Sequence, residues 1–239
     1  MAETKLKALM LKAIDYSESD KLLTLLTAER GRITAKLKGC KSPKAKLRYA
    51  ASPMSFNEYT LTPFGDKYII TGCDSIDSFS TISGDMGLFG AASIISELLL
   101  RFTDEYAGEN LLPPALSLMS ALCYDGVSGG IVGIKALLDL MRESGYGTDF
   151  SLSGEGTSYF SLKDGIMTSI ARRDGAEVKV SSSLSKLLLS LDDADISEIK
   201  KITSDPQTIK EGLSILDRYF TYQAEYGLRS VKQYIDYYV

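Results

Sequence analysis

The stretch Arg30–Arg48, RGRITAKLKGCKSPKAKLR, opens as a strand and closes as a charged loop, and its reading decides the fold of the N-terminal third of the chain. In its first half Ile33, Ala35 and Leu37 take one face while Arg32, Thr34, Lys36 and Lys38 take the other, as the two-residue period of a β-strand requires. Such a strand has a dry side and a cationic side. The second half sets Lys41, Lys44, Lys46 and Arg48 around Gly39, Ser42 and Pro43, a turn-forming composition that predicts a mobile loop held out for contact. The segment carries eight Arg/Lys residues and no acidic one; the whole chain has a formal net charge of −4, so everything outside the segment sums to −12. Segregation of charge on that scale predicts a phosphate-bearing partner, with strand face and loop forming one electropositive groove. A solvated basic loop is the bland alternative. The candidate binding residues are Arg30, Arg32, Lys36, Lys38, Lys41, Lys44, Lys46 and Arg48.

Strand-like patterns continue on both sides. Leu6, Ala8 and Met10 alternate with Lys5, Lys7 and Leu11, and KLLTLLT at Lys21–Thr27 is a compact apolar run. MSFNEYTLT at Met54–Thr62 alternates again, and after a turn at Pro63–Lys67 a last run covers Tyr68–Cys73. Five short strands between Thr4 and Asp74 predict a small closed barrel, for which the OB type is the common five-stranded case. Phe56, Tyr59 and Tyr68 are candidate base-stacking faces, although strand aromatics ordinarily serve core packing or strand pairing.

Beyond Ser80 the apolar period becomes helical. Leu88, Ala91, Ala92, Ile95, Leu98, Leu99 and Phe102 predict a helix from Gly84 to about Tyr106, Pro113 is read as the start of a second, and Ile131–Ser144 as a third stopped by Gly145. Asp164-Gly165 between the apolar residues of YFSLKDGIM predicts a β-hairpin, read as a small exposed appendage. Helical patterns return at Leu184–Leu191 and Asp195–Ile202, the latter opened by a capping box of Asp195 and Glu198. A final long helix is capped by Asp205, has Pro206 in its first turn, shows a face of Ile209, Leu213, Leu216, Phe220 and Gln223, and is expected to stop at an αL Gly227. The expected organisation is α+β: residues 1–80 form an OB-fold nucleic-acid-binding domain, and residues 81–239 an α-helical domain with a hairpin insert at about 150–180.

Little in the chain serves covalent chemistry. It contains no His, which removes the commonest general base and the commonest nitrogen ligand. Cys40, Cys73 and Cys123 are widely spaced with no C-x-x-C pair, which fits a reducing compartment better than a disulfide framework. Gly126-Val-Ser128-Gly-Gly130 matches G-x-S-x-G literally, yet it sits between two helical patterns and has no His to serve it, so it reads as a helix–helix linker. Asp192, Asp193 and Asp195 evoke metal-binding carboxylates of a nuclease; the ordinary reading is a loop and a helix N-terminus. Gly154-Glu-Gly156 is too short for a phosphate loop, and Arg172, Arg173, Arg229 and Lys232 read as surface charges. No catalytic constellation survives, and neither enzymatic activity nor a cofactor is expected. No apolar run reaches the roughly 18 residues that span a bilayer, and MAETKLKALMLKAIDY is not a signal-peptide pattern, so a cytoplasmic protein is expected.

A further string is more restrictive than charge. Tyr16-x-Glu18-x-Asp20-Lys21-Leu22-Leu23-Thr24-Leu25, followed by Glu29-x-Gly31-Arg32 and Ala35-Lys36, resembles the N-terminal region of bacterial RecO recombination-repair proteins. SIISELLLRFTDEYAGENLL, IKALLDLMRESGY and GLRSVKQYID resemble their helical domain. The resemblance implies an OB-fold domain followed by an α-helical one. It also implies a non-enzymatic mediator that binds single- and double-stranded DNA, anneals complementary strands, cooperates with RecR, contacts the single-stranded-DNA-binding protein SSB and helps load RecA. DNA contacts would fall on Arg32, Lys36, Lys38, Lys41, Lys44, Lys46 and Arg48. Many members carry a four-Cys zinc module after the helix corresponding to Ile131–Ser144; here Gly145–Ile170 contains no Cys, so no zinc is expected, and Phe160, Leu162, Ile166 and Met167 would hold the region by apolar contacts. The alternative function is a protein-interaction adaptor whose basic loop meets an acidic partner.

Overall fold

The computed structural model describes residues 3–103, 108–151, 158–171 and 176–239. Gly154-Glu-Gly156, Arg172 and Arg173 lie outside the described residues, as does the predicted helix end near Tyr106. Two units are distinguished, Met1–Ser83 with Leu99–Leu116, and Gly84–Leu98 with Ser117–Val239.

In the first unit Thr4–Asp15 (β1), Lys21–Thr27 (β2), Gly31–Leu37 (β3), Phe56–Phe64 (β4) and Lys67–Asp77 (β5) close into a barrel in the order β1-β2-β3-β5-β4, an OB-type arrangement. β1 is long enough to serve two neighbours. Its Thr4–Leu9 half pairs with β4 and its Ala8–Asp15 half with β2, and a register shift between Met10 and Lys12 provides the bend between them. β3 and β5 close the ring through a short parallel pairing, Ala35 with Tyr68 and Lys36 with Ile69. Alternation delivers Leu6, Ala8, Met10, Leu23, Leu25, Ile33, Ala35, Leu37, Leu61 and Ile70 to one buried cluster. β2 departs from simple alternation because Leu25 and Leu26, on opposite faces, are both fully buried. Tyr59 is also fully buried, its hydroxyl donating to the Ala50 carbonyl and accepting from Asn57 Nδ2, each at 2.9 Å. It is barrel core and offers no face for stacking.

After a short helix at Ser80–Gly84 (α1), helices cover Met86–Phe102 (α2), Gly108–Tyr124 (α3) and Gly129–Glu143 (α4). Pro113 does not start α3: it and Pro114 lie inside the helix. An internal proline costs about 3 kcal/mol. Burial of Leu111 and Leu112 ahead of it, in phase with Ala115, Leu118, Met119 and Leu122, offsets that cost. α4 is buried from Gly129 to Leu138 and again at Leu140 and Met141, as befits a central helix.

In the second unit α4 packs against Pro206–Ala224 (α7) and Ser182–Asp192 (α5), and α7 against Arg229–Tyr238 (α8); Ile196–Ile199 (α6) is a single turn opened by the expected Asp195–Glu198 capping box. Asp205 and Pro206 open α7 as predicted, but its stop is Glu225 at φ 63°, not Gly227. Gly227 instead sits close to the chain, where an added Cβ would lie 3.2 Å from Thr221 Oγ1. α8 has no side-chain cap of its own. The Glu97 carboxylate of α2 supplies one, accepting from the backbone of Arg229 (3.3 Å) and Ser230 (2.8 Å) and from the Ser230 hydroxyl (2.6 Å).

The predicted hairpin is one edge of a three-stranded sheet, Ser158–Ser161 (β6), Met167–Thr168 (β7) and Glu177–Val180 (β8), ordered β7-β6-β8. It is not an exposed appendage. Phe160 and Met167 are fully buried, and Phe160 lies 5.7 Å from Phe150 and edge-on, 5.4 Å, to Tyr219. Gln223 Nε2 donates to the carbonyls of Leu162 and Lys163, both at 3.0 Å, which ties the turn to the end of α7.

The G-x-S-x-G string is a helix start. Ser128 is the N-cap of α4, accepting from Ile131 N–H, and Gly130 is where α7 comes nearest: an added Cβ would lie 2.5 Å from Ile209 Cγ2. Gly130→Val should therefore destabilise the protein by about 1–3 kcal/mol, read as a lower urea midpoint at unchanged slope. Gly84→Ala, at a position with no atom within 4 Å of the added Cβ, should leave the midpoint nearly unmoved.

Candidate nucleic-acid interface

β3 ends at Leu37, and the chain then runs through a series of turns to a 3-10 helix at Arg48–Ala51. This segment is fastened to the barrel rather than held out from it. Cys40 and Ala50 belong to the barrel core, with Leu47 and Ala51 packed against it. Lys41 N–H donates to Ser19 O (3.1 Å), Ala45 N–H to Ser42 O (3.0 Å) and Arg48 N–H to Ala45 O (3.2 Å). Gly39, at φ 63°, turns the chain out of the strand in a conformation that disfavours other residues.

The principal tether is Asp20, the last residue before β2. Its Oδ1 accepts from Gly39 N–H (2.9 Å) and from the Ser19 hydroxyl (2.8 Å), and its Oδ2 lies 2.9 Å from Lys36 Nζ. The Gly39 amide first, and then Lys36, hold the Asp20 carboxyl far below the usual carboxylate range. A second tether joins Lys41 Nζ to Asp15 Oδ2 (2.8 Å) and to Ser17 O (3.3 Å), and the Lys41 bond lowers the Asp15 carboxyl as well.

These tethers consume part of the positive charge. Lys36 is taken by Asp20 and lies over the Tyr16 ring, 4.6 Å from its centroid. Lys41 is taken by Asp15. Arg32 reaches off the strand to the Leu100 carbonyl (2.6 Å), serving the last turn of α2, where carbonyls lack helical partners. Arg30 donates to Tyr68 Oη (2.5 Å), its guanidinium 5.8 Å from the ring centroid. By contrast Lys38, Lys44, Lys46 and Arg48 are exposed and, among the described residues, enter no ion pair.

The eight cations do not line one groove. A groove of about 730 Å³ gathers Lys41, Lys46 and Arg48 with Lys21, Tyr49 and Asp15, over a floor that includes Cys40 and Ala51. Arg30 and Arg32 border another, of about 560 Å³, with Glu29, Thr34, Asp66 and Tyr68. Of the three sequence-predicted stacking rings, Tyr59 is core, Phe56 is half-buried and Tyr68 is engaged by Arg30. Sequence reasoning passed over Lys21, Tyr16 and Tyr49. The tyrosines carried a faint signal, since they flank the basic run, but period and spacing do not show which ring faces water.

Asp192, Asp193 and Asp195 are taken up by an arginine and a helix cap. Asp192 accepts from Arg142, and its backbone carbonyl from Lys135 (3.2 Å) and Arg142 (3.1 Å); Asp193, exposed, lies 3.6 Å from the same Arg142 guanidinium; Asp195 caps α6. Among the described residues no group of three or more His, Cys, Asp or Glu could hold a metal ion, and no helix is long and apolar enough to cross a membrane.

Because Asp20 has a lower pKa folded than unfolded, its tether is at full strength above the ordinary carboxylate value of about 3.9 and is lost as acid protonates the folded carboxyl. Asp20→Asn should reproduce that loss at neutral pH. Hydrogen exchange at the Gly39 amide and tryptic cleavage after Lys41 and Lys44 should both accelerate in the variant, while exchange in β2 stays slow.

Two family models account for nearly the whole chain: one described as "Recombination protein O N terminal" matches residues 1–79, and one described as "Recombination protein O C terminal" matches residues 83–232. The chain is similar to the protein named DNA repair protein RecO of Heliobacterium modesticaldum, 26% identical over 240 residues, covering 94% of this chain and 86% of the relative. Bacillus pumilus has a protein of the same name that is 26% identical over 242 residues, covering 95% and 92%. For that of Bacillus subtilis the identity is 25% over 242 residues, covering 98% and 94%. With both halves matched in order and with relatives aligned along nearly their full length, the chain belongs to the recombination protein O (RecO) family.

Proposed function

We propose that this protein is a DNA-binding mediator of recombinational DNA repair. It binds single- and double-stranded DNA, anneals complementary strands, and with RecR assists the loading of RecA on strands held by SSB, acting at the nucleoid. The barrel of residues 1–80 is the DNA-binding part. The helical residues 81–239 carry a three-stranded sheet where many relatives have a zinc module.

The observation that carries this reading is the state of Lys38, Lys44, Lys46 and Arg48: exposed, without carboxylate partners among the described residues, and displayed on a segment that is itself pinned to the barrel. Cations neutralised inside the chain gain little from a phosphate, because a Coulomb partner must first be given up. Unpaired cations on an ordered scaffold release counterions from DNA at small conformational cost. The mechanism requires neither nucleophile nor proton transfer: screening the repulsion between two phosphate backbones lets complementary strands approach while their bases stay free to pair.

The test separates free cations from spent ones. With single-stranded DNA, log K should fall against log salt with a slope of about −0.7 per phosphate contact. Lys38→Ala/Lys44→Ala/Lys46→Ala/Arg48→Ala should flatten that slope by about 2–3 and slow annealing of complementary oligonucleotides. Lys36→Ala/Lys41→Ala should flatten it less, since Asp20 and Asp15 already hold those charges. An unchanged slope in the four-residue variant would remove this segment from the DNA site, and loss of protein-partner capture with DNA affinity intact would favour the adaptor.

A further inference from the structure

We propose that Tyr16 and Tyr49 are the base-binding part of this site: two fixed aromatic faces that stack unpaired nucleobases beside the phosphate-binding cations, giving the barrel a grip on single strands that a duplex cannot share. The inference rests on the DNA-binding reading above and adds to it the form of DNA that the site selects.

Both rings are exposed, Tyr16 at 55% and Tyr49 at 43%, whereas Tyr59 is enclosed in the barrel core. Each is also held in place. Tyr16 N–H donates to Asp20 O (3.0 Å), so the ring stands on the same turn that the Asp20 tether stiffens. Lys36 Nζ, itself fixed by Asp20, covers one face of the Tyr16 ring at 4.6 Å. The ring is therefore backed by a cation that draws on its electron density, and it keeps more than half of its surface in water. Tyr49 is anchored at its far end, the hydroxyl donating to the Cys73 carbonyl, and its ring stands in the wall of the groove that Lys41, Lys46 and Arg48 line. Lys41 links the two places: it lines that groove and reaches the carbonyl of Ser17, the residue after Tyr16.

Fixed aromatic faces interleaved with cations match the repeat of a single strand, in which bases and phosphates project alternately. Every base has a π-face, so stacking of this kind tolerates sequence. A duplex encloses its base faces within its own stack and presents phosphates alone. The rings thus add affinity for unpaired strands while the cations serve both forms, and pre-anchoring spares the side-chain ordering cost that binding would otherwise carry.

The experiment uses the full chain and three fluorescently labelled probes with equal numbers of phosphates: an oligo-dT strand, an abasic strand and a duplex. The wild-type protein should bind oligo-dT more tightly than the abasic strand. Tyr16→Ala/Tyr49→Ala should lose affinity for oligo-dT on the order of ten-fold per stacked base, yet bind the abasic strand and the duplex as the wild type does, which also shows that it is folded. Tyr16→Phe, which keeps the ring, should retain the preference. Equal wild-type binding of oligo-dT and the abasic strand, or a full preference surviving in the double alanine variant, overturns this inference and leaves the cationic site standing. Failure of the wild type to bind any of the three probes overturns both.

Discussion

The Asp20 carboxylate is the contact on which the candidate site depends. One oxygen accepts the Gly39 amide at the point where the chain leaves β3, and the other faces Lys36 within that strand, so a single side chain joins the β1–β2 turn, a barrel strand and the start of the basic segment. A backbone amide and an ammonium on one carboxylate are both charge-assisted, the stronger class of hydrogen bond. A run of lysines left to itself repels and spreads. Here a buried Cys40, a buried Ala50 and the Asp20 and Asp15 contacts convert it into a surface with a defined shape.

That order has a consequence for charge. Eight cations stand together in the run with no acid among them, but acids arrive from elsewhere in the fold: Asp15 at the end of β1 for Lys41 and Asp20 before β2 for Lys36, while Arg32 meets a neutral helix-end carbonyl. Two of the eight cations, Lys36 and Lys41, pair with carboxylates, Arg30 and Arg32 donate to neutral oxygens, and the other four are exposed without an ion pair among the described residues. The division is a matter of which side chains can reach a partner. Lys36 and Lys41 reach Asp20 and Asp15, whereas Lys38, Lys44, Lys46 and Arg48 are exposed and, among the described residues, enter no ion pair, even though Lys46 and Arg48 line the groove that Asp15 also borders. A basic segment that binds nucleic acid gains from both parts, since ordered unpaired cations lose less entropy on binding than mobile ones.

The helical unit shows the same economy with uncharged groups. Residues that pattern-matching offers to chemistry are used for construction: Ser128 caps α4, Gly130 admits Ile209, Asp195 and Asp205 cap their helices, and Asp192 receives Arg142. Glu97 caps α8 from a helix far away in sequence. Hydrogen-bonding demand at helix ends is large enough to recruit polar side chains of any origin, which is why a polar residue near a helix end deserves a structural reading first.

Much of this protein is determined by sequence alone. Period-two alternation in β1, β3 and β4 and the apolar run of β2 specify a small barrel, and period 3.6 with Asp205-Pro206 and Asp195–Glu198 specifies helices with their starts, because these signals are local and each element must hide one face. The basic segment and its sign are equally legible. What only the tertiary structure decided is how distant groups meet. Pro113 and Pro114 sit within a helix because burial of Leu111 and Leu112 outweighs a local penalty; the hairpin at Asp164-Gly165 gains β8 and a buried Phe160 because its other faces are supplied by Tyr219 and Phe150. Likewise, alternation could place Lys36 and Lys38 on one strand face, but it could not show that Asp20 neutralises the first and nothing among the described residues neutralises the second. Side-chain period is a property of the chain, whereas charge compensation and exposure are properties of the surface that folding assembles.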